Sequence, residues 1–294
     1  MKRTTLIGIA LLGAVAFAAE NERVLKMDSK SFTGDLRNGP YTFSGTDAAP
    51  VKATVSTLKI SAAKAVLSAP AGTPITSAEG KRTAEFTGNV TVVRGRLTAK
   101  GPNLTYSEAS GVGLLKGNPT AVFAGEDKND DPVNINAAEM SLDVDTDISS
   151  SKGNVRFTNG NQTGSSENMV FDEKKKLGLL TGSVVMNRAA TAKQKALNIT
   201  GTEARVLTDD KLLYVKGNVK LVSGDITTTG TALYYDDKKN TAVIVGSPAR
   251  SVNAKAGTTV SGGTLEQRTD LGRVKQLSGS FKMPAEQFKL SNEK

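Results

Sequence analysis

The chain has 294 residues, 38 of them Lys or Arg and 29 Asp or Glu, for a net charge of +9, and it contains no Cys, His or Trp. Without thiols and imidazoles, disulfides, cysteine nucleophiles, serine–histidine triads and nearly every transition-metal centre are excluded. The mild, dispersed positive excess suits anionic partners such as phosphorylated lipid head groups, or a plain solvated surface, and does not mark a nucleic-acid protein.

At the start of the chain, Lys2 and Arg3 precede an uncharged run from Thr4 to Phe17 and a small-residue Ala16-Phe17-Ala18 pattern. Residues 1–18 are therefore expected to be a cleaved export signal, too short to span a bilayer, which needs roughly 20 apolar residues. The mature chain is expected to be exported and soluble. It has no Cys to carry a lipid anchor or a disulfide, so burial alone must hold it together. Aromatic residues are only 5% of the chain, while Val, Leu, Thr, Ser and Gly are plentiful, which favours many strands joined by tight turns.

Residues 19–283 read as one repetitive domain. A partial copy, Leu58 to Leu67, comes first, followed by an insert from Ala69 to Lys81, rich in Pro, Gly, Ala and Ser, that is expected to be a surface loop. Three core repeats follow, at 82–147, 148–211 and 212–263. Each opens with Gly-Asn-Val, at Gly88, Gly153 and Gly217, and each repeats a second glycine 29 residues later, at Gly117, Gly182 and Gly246. Between them, 18 residues after the first glycine, stands an aromatic: Tyr106, Phe171 or Tyr235. Three landmarks held in register over three copies define a repeat protein.

Within a unit, apolar residues alternate with polar ones around the Gly-Asn-Val. Phe86, Val90 and Val92 share a parity, while Glu85, Thr87 and Thr91 take the other, the period of a strand with one dry face. On this parity the glycine shares the dry face, and a central glycine marks a bulge, a bend or close approach of another backbone. A turn, a second strand ending in the aromatic, a polar turn, a third strand through the second glycine and a fourth strand complete the unit, giving about 16 strands in the mature chain. Thr264 to Phe281 resembles the start of another unit with Gly279 as its landmark, and residues 284–294, after Pro284, are expected to be a disordered tail.

The dry face collects Phe86, Val90, Val92, Leu104, Tyr106, Leu115, Val155, Phe157, Met169, Phe171, Leu180, Val184, Met186, Val219, Leu221, Leu233, Tyr235 and Ile244. Two readings stand: a closed core, the usual fate of an apolar strand face, or an open trough. A trough could repay the order of 10 kcal/mol that a dozen methylenes lose on leaving a membrane, at about 0.8 kcal/mol each.

Other chemistry finds few materials. Asp143, Asp145 and Asp147 alternate as in a calcium loop, but Ile148 stands where glycine is required and Asn154 where the closing glutamate belongs, so a turn is expected and no metal. The acidic loop Glu126 to Asp131 and the run Lys174-Lys175-Lys176 read as solvated turns. Asp209-Asp210 and Asp236-Asp237 sit in predicted turns where neighbouring side chains diverge, so a glycosidase acid pair is not expected. No phosphate-binding loop, cofactor motif or catalytic residue is found.

The segment Glu85-Phe86-Thr87-Gly88-Asn89-Val90-Thr91-Val92-Val93-Arg94-Gly95, the strand ending Leu104-Thr105-Tyr106, and Gly117-Asn118-Pro119-Thr120-Ala121-Val122-Phe123 resemble the LptA/OstA-like family of periplasmic lipopolysaccharide-transport proteins. The resemblance spans about Arg82 to Arg250. It implies an all-β, repetitive antiparallel β-jellyroll folded like a taco, whose V-shaped apolar trough, lined by the residues above, receives acyl chains of lipopolysaccharide or another envelope lipid. It also implies head-to-tail homo-oligomers bridging an inner-membrane ABC exporter complex to an outer-membrane assembly protein. The rival from another class is a structural cell-envelope β-solenoid with a closed core; a polysaccharide-active β-helix enzyme lacks a credible acid pair.

Overall fold

The computed structural model describes residues 23–293 apart from residues 126, 128, 129 and 193; the expected export signal and part of the acidic loop therefore lie outside the described residues. Among these, there are twenty-one strands, every pairing is antiparallel, and there is no α-helix. The strands form sixteen successive courses, each paired with the next in the chain. β1 (Lys26–Asp28) and β2 (Ser31–Thr33) make the first course, β3 (Tyr41–Ser44) and β4 (Val51–Val55) the second, β5 (Leu58–Ala62) and β6 (Lys64–Ser68) the third. β7 (Thr83–Arg94) and β8 (Leu97–Ser107) follow, then the split courses β9 (Val112–Lys116) with β10 (Thr120–Phe123) and β11 (Val133–Asn136) with β12 (Glu139–Asp143). From there the courses are whole: β13 (Ile148–Asn159), β14 (Gln162–Asp172), β15 (Leu177–Arg188), β16 (Leu197–Leu207), β17 (Leu212–Ser223), β18 (Ile226–Asp236), β19 (Thr241–Asn253), β20 (Thr258–Arg268) and the short β21 (Arg273–Gln276). The sixteen strands expected from the repeat thus correspond to sixteen courses, five of them cut in two. The repeats at 82–147 and 148–211 hold four courses each. The fourth course of the last repeat runs to Arg268, past the boundary at 263.

Each course breaks near its middle, and the breaks line up across the sheet as a crease. In β7, Thr87 pairs with Asn103 and Val90 with Gly101, so Gly88 and Asn89 together oppose Pro102 alone. Both are left-handed, with φ of +79° and +50°. Gly enters that region freely, and Asn is among the few other residues that tolerate it. Gly153-Asn154 and Gly217-Asn218 repeat the geometry, and Gly182-Ser183 does so at the second landmark. The bulge sets one extra residue in β7 against β8, and Phe86 and Val90, on either side of it, are both buried on the same face. Gly88 itself is exposed, so the dry-face placement expected for that glycine is corrected: the motif makes the fold line, not the face.

The crease turns one sheet into two facing leaves. Leaf one carries the half-courses that end at the turns near 108, 145, 174, 209 and 238; leaf two carries the halves that end near 95, 160, 190, 224 and 255. One apolar cluster runs between them from Leu25 to Leu265.

Two expectations at the borders need correction. The insert at 69–81 is a loop with a short 3-10 turn at Ile75–Ser77, but it buries Ile75 and Ala78 rather than lying wholly at the surface. The tail after Pro284 is ordered: Ala285–Phe288 forms a 3-10 turn, and Phe288 (0% exposed) and Leu290 pack on Leu177 with Val170, Leu179, Leu207, Leu212, Tyr214 and Tyr234. Those partners lie on the outer face of leaf one, with the parity opposite to the seam. Arg205 pairs with Glu293, Ser291 N donates to Asp172 at 2.7 Å, and Lys175 Nζ donates to the Lys289 carbonyl at 2.8 Å.

Candidate functional site

The seam between the leaves brings together all eighteen residues of the dry face. Phe86, Val90, Val92, Leu104, Tyr106, Leu115, Val155, Met169, Leu180, Val184, Val219, Leu221, Leu233, Tyr235 and Ile244 are buried in it, while Phe157, Phe171 and Met186 are half-buried at its border. The leaves are packed together over most of their length, so a guest chain must part them.

The mouth of the seam lies opposite the crease, where the turns of leaf one meet those of leaf two, and side chains stitch it at intervals. At the first stitch the Tyr106 hydroxyl donates to the Arg23 carbonyl at 2.8 Å, Arg23 pairs with Asp145, and Leu25 N donates to Glu108 Oε1 at 2.8 Å. At the second, Arg94 (3% exposed) donates to Glu173 at 2.5 and 3.0 Å and to the Asp143 carbonyl at 2.8 Å, with Asp147 at 3.9 Å. At the third, Arg188 (6% exposed) pairs with Asp237 and lies 3.0 Å from the Tyr235 hydroxyl, which in turn donates to Asp237 at 3.0 Å. The landmark aromatics Tyr106 and Tyr235 therefore serve at the mouth, and Phe171 does so by packing its ring, tilted at 59°, against Phe123 across the leaves at 4.9 Å. Burial pushes the Tyr106 and Tyr235 phenols up, and the Glu108 charge adds to this at Tyr106, so both stay neutral hydrogen-bonding groups.

A narrow apolar gap of about 20 Å³, room for roughly one water, lies between the leaves; Leu97, Ala121, Phe123, Ile135, Met140, Met169 and Phe171 are among its walls. The C-terminal end of the seam is instead polar. Thr228 is buried there, bonded to Ser251 at 2.8 Å and to Gln267 at 2.6 Å.

The acidic motifs take structural parts. Asp143 Oδ1 accepts the Asp145 and Thr146 amides, Asp145 binds Arg23, and Asp147 binds Lys174 at 3.2 Å. Asp236 caps its own turn by accepting Lys239 N at 3.0 Å, while Asp237 turns away to Arg188, so the pair does not converge. The stitching residues Glu108, Arg94 and Arg188 escaped the sequence reading. Two left a signal, since Arg94 and Arg188 each fall six residues after a landmark glycine, Gly88 and Gly182, at the seam parity. Glu108 left none, because its partners lie far away in the chain.

A creased antiparallel sheet of sixteen courses, with an apolar seam between its leaves and a mouth held by side chains, is the β-taco class of jellyroll. The sequence matches the family described as LptA/(LptD N-terminal domain) LPS transport protein in three overlapping stretches, residues 26–148, 75–211 and 134–273. The chain belongs to this family of noncatalytic lipopolysaccharide-transport proteins. No curated protein matches it. Among solved structures it is similar to LptH, described as the LptA homologous periplasmic component of the conserved lipopolysaccharide transport device from Pseudomonas aeruginosa. The identity is 12% and the TM-score 0.32, over 55% of this chain and 85% of that one.

Proposed function

We propose that the chain is a periplasmic carrier that takes acyl chains of lipopolysaccharide, or of another envelope lipid, into the seam. It passes them along a bridge between an inner-membrane ABC exporter complex and an outer-membrane assembly protein. Family membership supports this reading, and one observation carries it: the mouth is held by side chains of facing turns and not by strand pairing. Parting the leaves there breaks a few contacts and leaves every ladder hydrogen bond intact, whereas opening a closed barrel would break a ladder. The chain has no phosphate-binding loop to drive transport, so energy comes from the exporter.

Head-to-tail assembly is supported by the two ends of the sheet. The first course is paired on one side only, with its own Phe32 exposed; at the far end β21 covers only Leu265–Arg268 of β20. Such unpaired backbone edges accept a strand from another chain.

The rival, an envelope β-solenoid with a closed core, draws on the burial of fifteen of the eighteen dry-face residues. Photocrosslinkers at Phe157, Phe171 and Leu221 in cells separate the two. A carrier captures lipopolysaccharide at the half-buried pair first, and at Leu221 when it is actively loaded. A folded protein that captures no lipid at any of the three positions is not a carrier. Light scattering that stays monomeric at high concentration would remove self-assembly from the proposal.

A further inference from the structure

The turn between β14 and β15 is held from two sides by alternate residues. Glu173 and Lys174 serve the mouth: Glu173 accepts from the buried Arg94 of leaf two at 2.5 and 3.0 Å, and Lys174 binds Asp147 at 3.2 Å. Asp172 and Lys175 serve the C-terminal tail instead. Asp172 Oδ2 accepts Ser291 N at 2.7 Å, and Lys175 Nζ donates to the Lys289 carbonyl at 2.8 Å. The other oxygen of Asp172 caps the turn itself, accepting the Lys174 and Lys175 amides at 3.1 and 3.0 Å. One buried carboxylate thus joins the tail to the backbone that carries Glu173, and Leu177, just past the turn, packs with Phe288 and Leu290. Arg205 completes the tail's anchorage by pairing with Glu293 and donating to the Phe288 carbonyl at 2.8 Å. Among the described residues no strand follows Gln276, so the tail can leave the outer face without breaking a ladder.

We propose that the tail is a latch on the mouth: docked on the outer face of leaf one, it fixes the turn at 172–176 and so keeps the Arg94–Glu173 stitch closed, and its release lets the leaves part there. The Arg94 guanidinium is 3% exposed and depends on Glu173 being held in place, because a buried charge without its partner is strongly unfavourable. A short turn has little stiffness of its own, and segments held only by side-chain contacts belong to the part of a protein that opens locally. Removing Phe288 and Leu290 from Leu177, and Ser291 from Asp172, frees the outer side of the turn while its inner side still carries the stitch. The two sites are then coupled through one element that both bias, on opposite faces of the same leaf. The latch concerns how the leaves are held and stands whether or not the seam carries lipid.

Thiol labelling of the full chain tests it, since the protein has no cysteine of its own. Ala121→Cys puts a thiol on a buried seam wall that Phe171 shares, and Ala53→Cys puts one in the seam near its N-terminal end, at 2% exposure. A buried thiol reacts with an alkylating reagent only when the leaves part, so the labelling rate under native conditions reads local opening. Adding Phe288→Ala with Leu290→Ala is expected to speed labelling at position 121 about tenfold and to leave position 53 unchanged, with thermal melts confirming the fold. In a Glu173→Gln background, where the stitch is already weakened, the same tail substitutions are expected to add little. If the Glu173→Gln chain does not fold, the comparison of positions 121 and 53 decides alone. Labelling at 121 that ignores the tail overturns the latch. An equal rise at 53 overturns it too, because the tail then contributes only to the stability of the whole fold, and so does a full tenfold effect in the Glu173→Gln background.

Discussion

Glu108 shows what a single buried carboxylate does at the mouth of the seam. At 1% exposure it accepts from Leu25 N, Gly80 N, Arg82 N and two nitrogens of Arg82, tying the N-terminal segment and the insert to the first repeat. Glu108→Gln keeps the shape but gives up the charge, and denaturant unfolding should show a loss of roughly 2–4 kcal/mol. The same residue makes stability depend on pH. Burial alone would raise its pKa, but the Arg82 guanidinium and the Leu25 amide outweigh burial and hold it below the ordinary 4.5. A depressed carboxylate contributes its full stability above its unfolded value and loses it as pH falls through the folded value. Melting temperature should therefore drop on acidification below about pH 4.5, and the Glu108→Gln variant should lose that part of the slope. None of this was legible in the sequence, because donors at 25 and 80–82 reach 108 only through the fold. The seam residues were legible, because period two needs only the local chain.

At the level of elements, the crease and the tail behave oppositely in this respect. The crease is written in the repeat: Gly217 has φ +77°, and a Cβ there would lie 2.0 Å from Thr202 Oγ1. Gly217→Ala should cost roughly 1–3 kcal/mol through backbone strain and that clash, and calorimetry will read it as a lowered midpoint without loss of cooperativity. The tail is not written in any period. Phe288 and Leu290 alternate over too short a span to suggest a strand, and their partners are outward-facing residues of five different courses. Phe288→Ala should cost about 3 kcal/mol and open the segment after Gln276 to limited proteolysis. A disordered tail would make that substitution silent, so proteolysis rates of the two proteins decide the matter. Its outer-face patch also explains why Leu177 and Leu179 break the wet-face pattern that other courses keep.

For the whole molecule, the question is whether the leaves must separate. Ser223 at the end of leaf two lies 3.5 Å from the Thr269 carbonyl beside leaf one, and the chain has no cysteine of its own. A Ser223→Cys, Thr269→Cys pair can therefore be oxidised without competing thiols. Locking this end is expected to cut lipid capture at Leu221 severalfold while leaving capture at Phe157 largely intact, with reduction restoring capture at Leu221. Unchanged capture at Leu221 in the oxidised protein would mean that lipid does not need this end of the seam to open. The sequence by itself determined the approximate number of courses, an irregular backbone at each landmark glycine and the parity of the seam, since backbone geometry and side-chain alternation are properties of neighbouring residues. Only the tertiary structure decided that the leaves pack shut, that arginines six residues past two landmark glycines reach acids 79 and 49 positions away, and that the tail is a cover. Those contacts depend on how far the two leaves are offset when the crease folds, and no local pattern encodes that offset.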